Sequence, residues 1–533
     1  MATERSADIV VVGSGVAGGI VAHELAKAGA SVLVLEAGPW IDRWKIVEKF
    51  RDSPAKQDFM APYPSVPYAP SPQYTPPNNY LVEKGPVDYA AQYIRAVGGT
   101  TWHWAAAAWR LLPSDFELRS RYGVGRDWPF GYDTLEPYFY RAEVDLGVSG
   151  PNDVDLGSPR SSPYPMEKLP LSWMDQRFTE VLNGNGFNVV PEPVARNSRP
   201  YDGRPTCCGN NNCMPICPIA AQYSGEMHAV KAMRAGAELL ADAVVYRIEA
   251  DEAGRIQAVH YMDPDGNSTR VTGKQFVLAA NGIEIPKLML MSADERYPQG
   301  IGNSSDQVGR NLMDHPGTGV TFLANEDLWP GRGPIEMTSV VNFRDGDFRT
   351  EFAAKKLHLS NGAMTRTVTE ELITERGVIG PELDKQIRLR SARTLSINSF
   401  HEILPHPENR VRPSSEKRDV LGIPYPEVTY DVDDYVRRSA EHTRETYAEI
   451  ARLFGGTEVR FHDEFAPNNH IMGTTIMGDD PSDSVVDADC RCHDHPNLYI
   501  ASSSVMPTAA AVNCTLTIAA LAHRLADHLR EEG

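Results

Sequence analysis

The stretch "DIVVVGSGVAGGIVAHELAKAGASVLVLEAG", residues 8–38, decides how this chain folds. A short apolar run leads into a glycine turn, and a helical segment and a second apolar run follow. The pattern predicts strand, turn, helix, strand. Gly13, Gly15 and Gly18 form G-x-G-x-x-G across the turn. Gly13 permits the tight turn, Gly15 lets backbone approach a pyrophosphate, and Gly18 lets helix and strand pack closely. The helix N-terminus then offers free N–H groups and a favourable dipole to the phosphates. Glu36 ends the second strand about 20 residues on, where a carboxylate accepts ribose hydroxyls and disfavours a 2′-phosphate. Together these features predict a dinucleotide site, with FAD and NAD both open on this motif alone.

Two distant pieces read as belonging to the same α/β domain. "FVLAANGIEIPKLMLMS" (276–292) is a buried strand, a tight turn and a helix. "NLYIASSSVMPTAAAVNCTLTIAALAHRLADHLR" (497–530) closes the chain as strand, loop and helix. Between them, residues 316–455 carry alternating apolar stretches such as "RTLSINSF" and "IPYPEVTYDV", the mark of a mostly antiparallel sheet. The Pro- and Tyr-rich run 61–80 predicts an extended covering loop.

With 533 residues the chain can bury large cores without disulfides or metals. Its 52 Lys and Arg against 71 Asp and Glu give a net charge of -19. That balance argues against nucleic acid and favours a neutral substrate over a strongly anionic one. No run of 18 apolar residues occurs, so no direct membrane span is expected. The N-terminus goes directly into a strand, and no export signal of the chain's own is expected.

"TCCGNNNCMPICPIAAQY" (206–223) places four of the seven cysteines within eleven positions. Cys207, Cys208, Cys213 and Cys217 read C-C-x4-C-x3-C-P. Zinc prefers two C-x2-4-C knuckles, and this spacing supplies no second knuckle. Adjacent cysteines meet disulfide geometry poorly. An iron–sulfur cluster suits a short loop of thiolates followed by proline, although this spacing is not that of a ferredoxin. All three remain open on spacing, with the cluster favoured. Cys490, Cys492 and Cys514 read as structural.

Four segments carry a family resemblance: "YIRAVGGTTWHWAAAAWR" (93–110), "VGRNLMDHPG" (308–317), "NNHIMGTTIMG" (468–478) and "HPNLYIASSSVMPTAAAVNCTLTIAALA" (495–522). In order and spacing the chain resembles the glucose–methanol–choline (GMC) oxidoreductases end to end. It resembles in particular the catalytic subunits of bacterial membrane-associated glucose, sorbitol, fructose and gluconate dehydrogenases. The resemblance implies FAD and an α/β fold: a Rossmann-like FAD-binding domain beside a mainly antiparallel β-sheet and helix substrate domain. The expected division begins with an FAD-binding segment over 1–195, which includes a covering loop at 50–90, and a cluster segment at 196–224. The FAD-binding domain resumes at 225–315, the substrate domain spans 316–455, and a C-terminal FAD-binding and catalytic segment spans 456–533.

The resemblance puts catalysis on His470 and Asn513. A neutral imidazole suits removal of the hydroxyl proton as hydride leaves, and Asn513 can hold the same oxygen. By likeness to pyranose 2-oxidase, His103 in "GGTTWHW" is expected to be joined covalently to the flavin, with Gly98 and Gly99 approaching FAD closely. The cysteine segment is expected to hold a [3Fe–4S] cluster on Cys207, Cys213 and Cys217, leaving Cys208 free. Four ligands and [4Fe–4S] are the alternative. Asn469, Ser360 and Asn361 are candidate substrate contacts. The expected substrate is a glucose-like aldose, with sorbitol, fructose and gluconate as alternatives and an O2-using oxidase as the other reading. The implied partners are a small twin-arginine-exported subunit and a multihaem cytochrome c subunit, and the implied location is periplasmic.

Overall fold

The computed structural model describes residues 3–53, 62–72 and 80–532. The expected covering loop at 50–90 therefore lies partly outside the described residues. The opening motif folds as read: strand Thr3–Val12, helix Val16–Lys27 and strand Val32–Leu35. Val10, Val11 and Leu33 to Leu35 are buried, as the near-continuous apolar runs of a parallel sheet require. The sheet has seven strands, with Glu238–Leu240, Val32–Leu35, Thr3–Val12 and Ser268–Leu278 side by side and parallel. Ser268–Leu278 continues on its other edge to the antiparallel Ile256–Met262, and its end pairs in parallel with Leu498–Ile500. The three distant pieces thus meet in one sheet.

A second sheet has six strands, all antiparallel: Thr457–Ala466, Gly317–Leu323, Thr394–His401, Lys355–Ser360, Thr338–Val340 and Val189–Pro191. It extends beyond the 316–455 segment at both edges. "RTLSINSF" lies within it, whereas "IPYPEVTYDV" contributes Pro424–Thr429 to a separate three-stranded sheet. One face packs on helices Trp173–Asn183 and Asp434–Leu453 through Leu357, Leu359, Leu395, Ile397, Phe178 and Ile450. Strand alternation then turns Lys356, His358 and Phe400 to the opposite face. The three cluster there, with Lys356 Nζ 5.1 Å from the Phe400 ring centroid and the His358 ring 4.6 Å from it. This face looks onto the cavity described next.

Candidate active site

A cavity of about 510 Å³ opens between the two sheets. Its walls include Gly13, Gly15, Glu36, Gly99, His103, Asn469, His470 and Asn513, residues drawn from opposite ends of the chain. The glycine turn is built as its roles demand. Gly13 has φ +106°, and a Cβ there would meet the Ala279 carbonyl at 2.7 Å. A Cβ on Gly18 would stand 2.0 Å from the Gly13 carbonyl oxygen. Gly15 faces open space, which leaves its backbone accessible to a phosphate. Glu36 is buried, and its carboxylate accepts from Ser14 N at 3.0 Å, Ser14 Oγ at 2.8 Å and Gly38 N at 3.1 Å. Burial pushes its carboxyl up against those hydrogen bonds. Gly98 and Gly99, at φ +95° and +60°, bring the 98–103 turn onto this one, and the Gly98 N–H donates to Ser14 Oγ at 3.3 Å. An open phosphate cradle beside a ribose-binding acid fits FAD.

His103 lies on the same wall and is buried. Its Nε2 has no hydrogen-bond partner among the described residues. Burial holds its imidazole down to about 4, so the ring is neutral with an available nitrogen. Tyr63 packs at 5.8 Å from it, centroid to centroid.

His470 and Asn513 meet across the cavity, Asn513 Nδ2 lying 3.2 Å from His470 Nε2. The neighbouring bonds define the tautomer. His315 Nε2 faces two carbonyls, Ala509 O at 3.1 Å and Ala510 O at 3.0 Å, so it carries the proton and donates. In neutral His315, Nδ1 must then accept. His470 Nδ1 lies 2.8 Å from it and donates. His470 Nε2 is left with its lone pair toward the cavity and the Asn513 amide. Burial, followed by His315, Lys356 and His358, holds His470 well below the usual imidazole range, which keeps this nitrogen unprotonated and free to accept a proton.

The loop bearing His470 is clamped by Asp314, whose carboxylate accepts four backbone N–H groups. They come from His315 at 2.7 Å, His470 at 2.8 Å, Asn468 at 3.0 Å and Asn469 at 3.1 Å. Behind Asn513, Lys356 Nζ approaches Asn513 Oδ1 at 3.4 Å and pairs with Glu192 at 2.9 Å. Both partners of that pair are fully buried. Burial alone would raise the Glu192 carboxyl, but Lys356 and its other neighbours outweigh it and the net shift is downward. The "VGRNLMDHPG" motif contains Asp314 and His315 without revealing what they bind. Sequence reasoning singled out neither Lys356 nor Glu192, which lie far apart in the chain and meet only through the folded sheet.

The candidate substrate contacts fare differently. Asn469 lines the cavity, but its Oδ1 accepts the Gln92 N–H at 2.6 Å and so tethers backbone. Asn361 is placed differently from Asn469. It lies outside the cavity wall, buried, with its amide bonded to Gly331 N, Arg332 O and Pro334 O. Those bonds close a turn. Ser360 also lies off the cavity wall, at the end of its strand.

The cysteine loop touches the same cavity, with Met214 in its wall beside His103 and Trp104. Gln222 Nε2 bonds the Trp104 carbonyl at 2.7 Å and the Cys213 carbonyl at 3.3 Å, tying the loop to the flavin wall. Cys213 is buried, Cys207 and Cys217 are partly exposed, and Cys208 is exposed. The Cys207 thiol is pushed up by burial, and Cys213 and Cys217 push it the same way. These thiols are not among the described groups close enough to share one ion. Thiol donors on one short loop, near enough for Cys207 to sense Cys213 and Cys217, have the donor chemistry of a cluster. Cys490, Cys492 and Cys514 are buried, each pushed up to about 12 by burial, which leaves them inert thiols.

Family models of the GMC oxidoreductases match residues 85–317 and 405–522. The chain is 52% identical to the fructose dehydrogenase large subunit of Gluconobacter japonicus, over 98% of this chain and 97% of that one. It is 28% identical to 2-methyl-1,2-propanediol dehydrogenase of Mycolicibacterium austroafricanum, over 98% and 95%. Among solved structures, pyridoxine 4-oxidase from Mesorbium loti superposes with a TM-score of 0.65 at 19% identity, covering 98% of this chain and 99% of that one. The paired His470 and Asn513, the cradle for FAD and these likenesses agree: the chain belongs to the GMC oxidoreductase family and is an FAD-dependent dehydrogenase acting on CH–OH donors.

Proposed function

We propose that this chain is the catalytic subunit of a sugar dehydrogenase that passes its electrons through an iron–sulfur cluster to a cytochrome c partner. The observation that carries this reading is the cysteine loop lying against the flavin cavity through Met214. FAD, when bound, accepts hydride from the carbinol carbon at flavin N5. A [3Fe–4S] cluster on Cys207, Cys213 and Cys217 would pass electrons on singly, as a haem acceptor requires. The work of the chain itself is to hold the substrate hydroxyl between His470 Nε2 and the Asn513 amide. His470 removes the hydroxyl proton, and His315 fixes the tautomer that makes this possible. Helix Thr515–Glu532 begins two residues after Asn513, so its positive end faces the cavity and favours negative charge there. The unpartnered His103 Nε2 is the proposed point of covalent attachment to the flavin 8α-methyl group.

The likeness to a fructose dehydrogenase large subunit moves fructose ahead of glucose as the proposed substrate. That relative's designation as a large subunit supports partner subunits here, and the proposal includes a small twin-arginine-exported one. Trp40 and Trp44 are 45% and 62% exposed beside Arg43, which donates to the Cys217 carbonyl at 2.9 Å. An exposed aromatic surface at that place suits a protein electron acceptor. No described helix is long and apolar enough to cross a membrane. The proposed location is periplasmic, peripheral to the cytoplasmic membrane through the partners.

The test is anaerobic flavin bleaching with fructose, glucose, sorbitol and gluconate in parallel. Fructose should bleach fastest; no bleaching by any of the four, with full bleaching by dithionite, would overturn the sugar assignment.

A further inference from the structure

Away from the cavity, four helices converge on a cluster of imidazoles and carboxylates that the reaction does not use. Glu24 comes from helix Val16–Lys27, Asp145 from Tyr132–Leu146, His228 from Glu226–Arg234 and His523 from Thr515–Glu532. His523 Nε2 lies 3.2 Å and His228 Nε2 3.6 Å from Asp145 Oδ2. Neither pair has hydrogen-bond geometry, and both Nε2 atoms lack a hydrogen-bond partner among the described residues. Yet His228 and His523 are 0% and 1% exposed. Two imidazole nitrogens this deeply buried thus face one carboxylate at ion-pair distance without forming a regular hydrogen bond to it, an arrangement that an ion beside the carboxylate would complete.

We propose that this junction is a structural site for a divalent transition-metal ion, bound through nitrogen and oxygen donors. Ligand atoms of Glu24, Asp145 and His523 all lie within 4.8 Å of one another. An ion with bonds of about 2.0–2.2 Å places its ligands within roughly 4 Å of each other, and both Nε2–Oδ2 separations satisfy that. His228 lies against Asp145 from outside that set of three and supports the carboxylate. The outer shell is also present. Tyr223 Oη lies 2.7 Å from His228 Nδ1 and orients that ring beside Asp145. Arg141 donates to Glu24 Oε2 at 3.1 Å, and Glu24 Oε1 lies 3.7 Å from His23 Nδ1. Asp145 is partly exposed, which gives the ion a way in.

The site would brace the molecule where two functional helices cross. Helix Val16–Lys27 begins at the phosphate-binding Gly15, and helix Thr515–Glu532 follows Asn513. The experiment equilibrates chelator-treated holoenzyme with micromolar zinc, counts bound zinc separately from iron, and follows thermal unfolding and FAD retention. One equivalent of zinc, a raised Tm and better FAD retention are expected. Asp145→Asn and His523→Gln should each weaken zinc binding by more than about 10–100-fold, the cost of losing a group that only supports a ligand. Wild-type protein that retains no stoichiometric zinc would overturn the proposal, whether or not the variants fold. So would variants that bind zinc as the wild type does.

Discussion

The loop that carries His470 and the loop that carries the cysteines border the same cavity and are held in opposite ways. The His470 loop is fixed by the chain alone: Asp314 takes four of the surrounding N–H groups, and His315 sets the imidazole tautomer. The cysteine loop is anchored by its backbone, through Cys207 N to Asn197 O at 2.8 Å and the Gln222 and Arg43 bonds to carbonyls. Among the described residues its thiols have no comparable clamp, only a Gly209 N–H toward Cys207 Sγ. A general base works only when pre-positioned, so its geometry is built from permanent protein bonds. Cluster ligands are positioned by the cluster, so the protein need supply only the loop. The first loop should therefore tolerate almost no change in side chain, and the second should respond to loss of iron.

The sharpest way to break that contrast is His470→Ala. Fructose-dependent bleaching should fall by about 10²–10⁴-fold, the range for a lost general base, while FAD stays bound. Bleaching at the wild-type rate would remove the base assignment. Cys213→Ser should do the reverse: bleaching within about twofold of wild type, and cytochrome reduction lost with the iron. Unchanged cytochrome reduction would show that the cysteines are not the electron exit. Covalent attachment is read by acid precipitation, which should leave flavin on the wild-type protein and release it from His103→Ala. Free flavin from both would sink the attachment at His103.

Acid sharpens the comparison further. Burial holds His315 down to about 4, and His401 and His470 well below the usual range. Their unfolded counterparts take up protons near pH 6.5, so the unfolded state binds more protons below that value. The stability these groups contribute is complete above about pH 6.5 and is lost as pH falls toward about 4. Thermal unfolding measured from pH 7 to pH 4 should show Tm falling over that window, while the bleaching rate stays level to below pH 6.5. A kinetic inflection at pH 6.5 or above would contradict the buried, neutral His470. The smallest effect belongs to Asn361→Ala, which should cost about 1–3 kcal/mol of stability through the buried groups it leaves unpaired and leave KM unchanged. A raised KM at unchanged stability would return Asn361 to the substrate site.

Local signals made the dinucleotide half legible in the sequence. Gly13, Gly18 and Glu36 act within one strand–turn–helix–strand unit, so spacing alone carries their geometry. His470 and Asn513 were reached by motif likeness, and the structure brings them together from separate loops. Lys356 and Glu192 escaped because their pairing depends on how two strands of the six-stranded sheet are placed, a long-range fact with no local trace. Asn361 was ambiguous for a related reason: an asparagine suited to sugar hydroxyls is equally suited to closing a turn, and local sequence does not distinguish the two.

The most direct test is low-temperature EPR on anaerobically purified protein, recorded before and after adding fructose. The account predicts an oxidised three-iron signal that fades as the sugar reduces the flavin, which would join base, flavin and cysteine loop in one path. Protein that lacks iron yet still reduces a cytochrome with fructose would contradict it.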